Sequence, residues 1–215
     1  MPLKIDRAAL PFVLIAAAPA ILSAWMAPGV LTFVLALLPI AIALFFRDPD
    51  RSPPLGDTLV LAPADGKVMY AGAARPDEAP AGRWQQVTVF LSLLDVHINR
   101  TPVSGRVLRV DYVPGSFRAA FRREAFRNEH SEIWIDHRGS PVVARQVVGV
   151  LARRVVCRIK PGDVVSEGER IGLMKFGSRM DVFVPSTASI AVRPGDHVRG
   201  GETVIARLAK EATDD

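Results

Sequence analysis

A chain of 215 residues accommodates one domain with an appendage, and at 49% hydrophobic residues it carries more apolar side chains than a small soluble domain needs. The first fifty residues hold equal numbers of basic and acidic groups, so the net charge of +5 belongs to the remainder. With no nucleic-acid recognition motif in the chain, that charge points to anionic lipid headgroups rather than to DNA or RNA. The only cysteine, Cys157, excludes an intrachain disulfide, and its neighbours Val155 and Val156 mark it as a small buried side chain.

From Ala8 to Phe46 there is no Asp, Glu, Lys or Arg. The stretch divides at Met26-Ala27-Pro28-Gly29 into Leu10–Met26 and Val30–Phe46, each about the shortest length that spans a bilayer as a helix. Pro19 and Pro39 are tolerated there, because neighbouring groups in a membrane protein satisfy the freed carbonyls. Lys4 and Arg7 precede the apolar stretch, and Arg47 and Arg51 follow it. The positive-inside rule then predicts a hairpin over 1–47 in the cell membrane, with both ends and the body in the cytoplasm. Residues 48–56 read as a polar, proline-rich linker.

Residues 57–215 read as a mainly β domain. Short β-branched runs at Gln86–Leu94, Gly105–Val113, Glu132–Ile135, Gln146–Ile159 and Asp181–Val184 are separated by Pro, Gly, Asp and Ser. One helix is predicted at Arg118–Phe126. It would set Phe117 and Phe121 beside Arg118 and Arg122, which suits either the headgroup boundary of a bilayer or a core-packed helix with a solvated basic face. Pro161-Gly162-Asp163-Val164 through Glu169 recurs as Pro194-Gly195-Asp196-His197 through Glu202, an offset of 33 residues (194 − 161). Ala62-Pro63-Ala64-Asp65-Gly66-Lys67-Val68 likewise matches Thr101-Pro102-Val103-Ser104-Gly105-Arg106-Val107. Repeated turns of this kind predict a barrel-sandwich like that of biotinyl and lipoyl domains, and carry no chemistry by themselves.

Three segments carry candidate chemistry. Gly177-Ser178 follows the first repeat: glycine permits a strained turn and leaves its carbonyl open, and the serine hydroxyl can attack that carbonyl if a base is present. His97, at the end of an apolar strand, is either a hydrogen-bonded structural histidine or that base. Asp65 either supplies a turn or orients an imidazole, as the acid of a Ser/His/Asp arrangement does.

In order, Ala62-Pro63-Ala64-Asp65-Gly66, Asp95-Val96-His97-Ile98-Asn99-Arg100, Tyr112-Val113-Pro114-Gly115-Ser116-Phe117, Arg127-Asn128-Glu129 and Phe176-Gly177-Ser178 resemble the phosphatidylserine decarboxylase family, over about Asp57 to Leu208. The resemblance implies a proenzyme that cuts its Gly177–Ser178 bond. A β chain 1–177 and an α chain 178–215 would result, the latter beginning with a pyruvoyl group made from Ser178. It implies the triad Asp65, His97 and Ser178, with Arg100, Tyr112, Phe117, Asn128 and Glu129 expected around the substrate. It further implies phosphatidylserine as substrate, decarboxylated to phosphatidylethanolamine through a Schiff base, with His97 as proton donor. Longer bacterial members carry a second histidine in the Asp-Tyr-His-x-x-His segment. Here Asn99 or Arg100 stands available to share its work, and Asp95 competes with Asp65 as the orienting acid. His130, His137 and His197 lack metal-ligand spacing, so no metal is expected. Homo-oligomerisation is left open. Met174-Lys175-Phe176 resembles the lysine-bearing turn of biotin and lipoyl carriers, so a membrane-tethered carrier or adaptor is the alternative reading.

Overall fold

The computed structural model of the chain describes residues 4–150, 155–175 and 177–209. Phe176, and residues 151–154 within the predicted Gln146–Ile159 strand, lie outside them. The chain divides into two units, 1–50 and 51–215. The division falls inside the segment expected to be a linker, because its two ends are tied to different units. Asp50 pairs with Lys4 at 2.7 Å, whereas Arg51, nearly buried, pairs with Asp65 at 2.7 Å and Glu202 at 3.0 Å.

In the first unit, α1 (Leu10–Met26) and α2 (Val30–Phe45) form the predicted hairpin. Its ends meet: Ile5 bridges Arg47, and the Asp6 amide donates to the Phe46 carbonyl at 2.9 Å. Asp6 also caps the 3-10 turn Arg7–Ala9 that leads into α1. Continuous with that turn, Arg7–Met26 is long and apolar enough to cross a membrane. At 16 residues α2 reaches only about 24 Å, short of the roughly 30 Å hydrocarbon core. Leu14, Ile15, Trp25, Phe33 and Leu38 point outward, so within this unit the helices leave their apolar faces uncovered.

The second unit is built from β1 (Leu59–Leu61), β2 (Gly66–Ala73), β3 (Trp84–Leu91), β4 (Ile98–Arg100), β5 (Gly105–Val113), β6 (His130–His137), β7 (Ser140–Val147), β8 (Val156–Cys157), β9 (Val164–Val165), β10 (Arg170–Leu173), β11 (Ser178–Pro185), β12 (Ser189–Ile190), β13 (His197–Val198) and β14 (Val204–Arg207). Eight strands form a curled sheet in the order β13-β2-β3-β11-β7-β6-β5-β9, and two three-stranded sheets, β1-β14-β12 and β4-β10-β8, complete the domain. Val87, Val89 and Leu91 of β3 and Met180, Val182 and Val184 of β11 alternate into one closed core.

The repeated turns are the visible part of a larger duplication. If β1, β2 and β3 correspond to β4, β5 and β6, and β7 through β10 to β11 through β14, the large sheet reads the same from either end. The two small sheets then exchange as well. The hydrogen bonds agree: the Val68 amide donates to Asp196 O and the Val107 amide to Asp163 O, both at 2.8 Å. Each Pro-Gly-Asp turn therefore closes one edge of the same sheet.

The helix predicted at Arg118–Phe126 does not form. Only a 3-10 turn, Arg123–Arg127, is present, and Arg122 before it is extended with no side-chain cap. The cause is Asn128, whose Oδ1 accepts from the Arg118 amide at 2.9 Å and whose Nδ2 donates to the Arg118 carbonyl at 2.7 Å. The backbone groups that would start a helix are taken by a side chain.

Candidate active site

Ser178 opens β11, a central strand. It lies opposite Leu91 of β3, and the next residue, Arg179, opposite Val147 of β7. Gly177 precedes it at φ +71°, a left-handed conformation that a side chain would resist. The turn predicted at Gly177-Ser178 is thus present, and Ser178 is fully buried behind it.

His97 reaches this turn through strand pairing. In the β4–β10 ladder Ile98 lies opposite Leu173, and the Met174 amide then donates to the His97 carbonyl at 3.2 Å, so a few residues later the chain passes the imidazole. The Gly177 amide donates to His97 Nε2 at 3.4 Å, and His97 Nδ1 lies 2.9 Å from the Asp95 carbonyl. These partners require the proton on Nδ1 and turn the Nε2 lone pair to the Gly177 N–H, one residue before Ser178. The Ser178 hydroxyl lies 3.5 Å from the Lys175 carbonyl.

Each candidate acid has other partners of its own. The Asp65 carboxylate accepts from Arg51 Nη2 at 2.7 and 2.9 Å and from the Gly200 amide at 2.8 Å. The Asp95 carboxylate accepts from the Ser92 amide and hydroxyl, and it is the Asp95 main chain that orients His97. The Asp65 segment still abuts the site's scaffold, because the Arg100 amide donates to the Pro63 carbonyl at 2.8 Å. Alternation along β4 separates Asn99 from Arg100. Asn99 accepts from Gln146 Nε2 at 2.7 Å on the core side, where Met180 lies opposite Gln146. Arg100 turns the other way and donates to the Gly168 carbonyl at 2.8 Å. Among the described residues Asn99 Nδ2 and Gln146 Oε1 are buried without a hydrogen-bond partner.

The residues expected around the substrate divide further. Tyr112 is exposed. It lies in register with Ser131, Gln146 and Met180, so three strand spacings, about 14 Å, separate it from β11. Phe117 is on an exposed loop. Asn128 is fully buried and its amide is saturated by protein. Beyond Arg118, it accepts from the Ser116 hydroxyl at 2.9 Å and donates to the Val148 carbonyl at 2.8 Å. The Glu129 carbonyl accepts from the Val148 amide at 3.1 Å. The Asn128 amide and the Glu129 backbone therefore fix the end of β7.

That fixing points to a residue absent from the sequence reading. Gly149 follows Val148, and a Cβ built on it would lie 1.9 Å from the Gly177 carbonyl oxygen. Only glycine lets the backbone press on the carbonyl of the candidate cleavage bond; one glycine among sixteen gave no signal in the sequence. Also unforeseen is a buried ionic network on the outer face of the sheet. Arg179 donates to Asp181 at 2.8 Å and to Glu78 at 2.7 Å, Thr88 donates to Asp181 at 2.7 Å, and Arg145 pairs with Glu132. Burial opposes ionisation of Asp181, but the Arg179 charge and hydrogen bonds, with Arg145 and Thr88, outweigh it and hold the carboxyl below the usual range. The visible signal was two charges, Arg179 and Asp181, alternating with apolar residues in a central strand.

A family model for phosphatidylserine decarboxylase matches residues 38–206. The chain is 43% identical over 192 residues to the phosphatidylserine decarboxylase proenzyme of Chlorobium chlorochromatii, covering 88% of this chain and 87% of that one. It is 41% identical to the proenzyme of Solibacter usitatus over 206 residues, 95% of this chain and 97% of that one. With the protein of Symbiobacterium thermophilum, of the same name, it shares 44% identity over 177 residues, 81% and 82% of the two chains. A biotinyl or lipoyl carrier is not favoured by these matches, and the chain belongs to the phosphatidylserine decarboxylase family.

Proposed function

We propose that the chain decarboxylates phosphatidylserine to phosphatidylethanolamine with a pyruvoyl group made from its own Ser178. The observation that carries this is the approach of His97 Nε2 to the amide of Gly177, the residue whose carbonyl Ser178 would attack, in a family whose named relatives are proenzymes. In self-cleavage, His97 accepts the Ser178 hydroxyl proton as Oγ attacks the Gly177 carbonyl carbon, and an ester replaces the peptide bond. Loss of the Ser178 α-proton then breaks the Cβ–Oγ bond, frees the Gly177 carboxylate and leaves dehydroalanine. Water converts this to the ketone with release of ammonia.

Position 178 suits the resulting group. It is fully buried, and pairing of β11 with β3 and β7 keeps it in register once the preceding bond is gone. The ketone supplies the electron sink for loss of carbon dioxide from the serine headgroup. His97 delivers the proton that replaces the carboxylate. Asn99, on the core side of β4, takes the place of the second histidine of longer members, whereas Arg100 braces the Gly168 turn. Asp65 acts at a distance, holding Arg51 and the Gly200 turn. The helical hairpin enters the bilayer with both ends in the cytoplasm, and exposed Leu93, Leu94, Phe117 and Phe121 rest on the lipid surface.

Intact mass under denaturing conditions tests the first step. Two fragments divided between 177 and 178, the smaller starting in pyruvoyl, are expected, followed by release of carbon dioxide from phosphatidylserine. A single unmodified chain that does not release carbon dioxide refutes the reading. His97→Ala is expected to stop or greatly slow cleavage; normal cleavage and turnover would remove His97 from both roles.

A further inference from the structure

The outer face of the sheet beside residue 178 holds a small cationic cavity that the self-cleavage chemistry does not use. Arg179 and Asp181 point to this face, opposite the core side on which Met180 and Val182 lie. Two loops close over it. One inserts Glu78, fully buried, between Arg75 at 2.9 Å and Arg179 at 2.7 Å. The other brings Ala120, Phe121, Arg122 and Arg123. Between them lies a cavity of about 140 Å³ whose walls include Arg75, Arg122, Arg123 and Arg179.

Four guanidiniums meet there, and three carboxylates answer them: Glu78, Asp181 and, on Arg123 at 3.2 Å, Asp77. The unanswered one is Arg122, which is exposed and has no hydrogen-bond or ion-pair partner for its side chain among the described residues. The cavity is thus one anionic charge short of balance. It is also close to the reaction centre. Ala120 Cβ lies 3.6 Å from the point where a Cβ on Gly149 would sit, and that point lies 1.9 Å from the Gly177 carbonyl oxygen. Ala120, a wall of the cavity, is therefore separated from that carbonyl by no more than the sum of those two distances.

Resting on the decarboxylase reading, we propose that this cavity seats the phosphodiester of the lipid headgroup, with Arg122 as its main ligand. In phosphatidylserine only two carbons and an ester oxygen separate the reacting amine from phosphorus, so a headgroup held at position 178 carries its phosphate to the neighbourhood of Ala120. A phosphodiester bears one negative charge, the one the cavity lacks, and the planar guanidinium fork matches two phosphate oxygens. Phe121, stacked edge-on against Phe90 at 5.9 Å yet still exposed, gives the acyl chains an apolar exit. Arg122 then selects the phospholipid over free serine, which has the amine and carboxylate but no phosphate.

The test uses the processed full-length enzyme and a short-chain phosphatidylserine dispersed below its micelle concentration, so that attraction to a charged bilayer plays no part. Arg122→Ala is expected to raise KM about 10- to 100-fold with kcat within about twofold, the loss expected for a charged hydrogen-bonded contact made equally in ground and transition states. Arg122→Lys, which keeps the charge but loses the fork, should fall between. Glycerophosphoserine should compete with substrate in the wild type and much less in Arg122→Ala. An unchanged KM in Arg122→Ala and in Arg122→Ala/Arg123→Ala overturns the proposal. So does a KM effect confined to anionic vesicles, which would make these arginines a membrane contact. Competition by inorganic phosphate but not by glycerophosphoserine would make the cavity a free-anion site and also overturn it. Failure of the underlying reading is seen separately, as absence of cleavage or turnover in the wild type.

Discussion

Replacing Arg179 with Met should cost more stability than any exposed change in the domain. Arg179 is nearly buried and neutralises Glu78 and Asp181, whose side chains are fully buried. The substitution conserves much of the volume but leaves Asp181 with Thr88, and Glu78 with Arg75 and Gln86, as their close partners. Removing one member of a buried ion pair costs about 3–5 kcal/mol, a large share of the roughly 5–15 kcal/mol that holds a domain together. At about 2–4 °C per kcal/mol for a unit of this size, Tm should fall by about 6–20 °C. The comparison belongs in a Ser178→Ala background, where both chains are uncleaved, with unfolding followed by circular dichroism at pH 7. The pH dependence has a defined sign. Asp181 is held below its ordinary carboxylate range, so its contribution is complete above the unfolded value near 3.8 and is lost as pH falls through the lower folded value. The gap between parent and variant should therefore narrow in acid. A variant within about 1 kcal/mol of its parent, or a gap that stays constant from pH 7 into the acid range, would refute the argument.

Gly149→Ala should block or greatly slow cleavage, because its Cβ would lie 1.9 Å from the Gly177 carbonyl oxygen; complete cleavage on a denaturing gel at the parent's rate would show that this contact does not position the bond. Asn128→Ala should destabilise the domain by about 1–3 kcal/mol in denaturant titration and release the 116–118 loop to protease, with little change if the amide merely lines a substrate site. Phe117→Ser/Phe121→Ser should lower turnover of phosphatidylserine in vesicles more than turnover of dispersed short-chain lipid, and equal losses would remove these residues from the lipid surface. Peptide mapping should find Gly139–Ser140 uncut wherever Gly177–Ser178 is cut.

Local pattern carried much of the architecture. Gly105–Val113 is found as predicted, and the apolar hairpin breaks at Pro28-Gly29 because those residues leave no helical alternative. Where a distant side chain decides, the local pattern misleads. The Phe117–Arg127 segment has helical spacing, yet Asn128 captures the backbone of Arg118. The candidate site was proposed from chemistry written in short segments, as at Gly177-Ser178 and His97. It was not legible where geometry decides: alternation turns Arg100 away from His97's side of β4, and strand register removes Tyr112 by three strands. The ionic network draws on residues 78, 88, 145, 179 and 181, which no sequence window brings together.

The duplication also explains why one bond and not another should be broken. Under the strand correspondence β7 matches β11, and the residues that begin them are Ser140 and Ser178, each preceded by a left-handed glycine, Gly139 at φ +82° and Gly177 at +71°. The fold thus presents the same dipeptide twice. At the first copy the chain makes a tight hairpin with Arg138 also left-handed, the Gly139 amide is bonded to Asp136, and the turn is open to solvent. The nearby imidazole, His137, has both ring nitrogens within 2.6 Å of backbone carbonyls, those of Ser104 and Asp57, and so turns no lone pair toward Ser140. At the second copy the β4–β10 pairing delivers His97 with Nε2 toward Gly177, Gly149 presses on the carbonyl, and Ser178 is shut away from water. Under the proposed self-cleavage, a strained Gly-Ser turn is therefore not sufficient. What distinguishes the two copies is a buried hydroxyl and an imidazole whose Nε2 reaches the glycine amide of the turn, and that imidazole comes from a segment far from the turn in sequence.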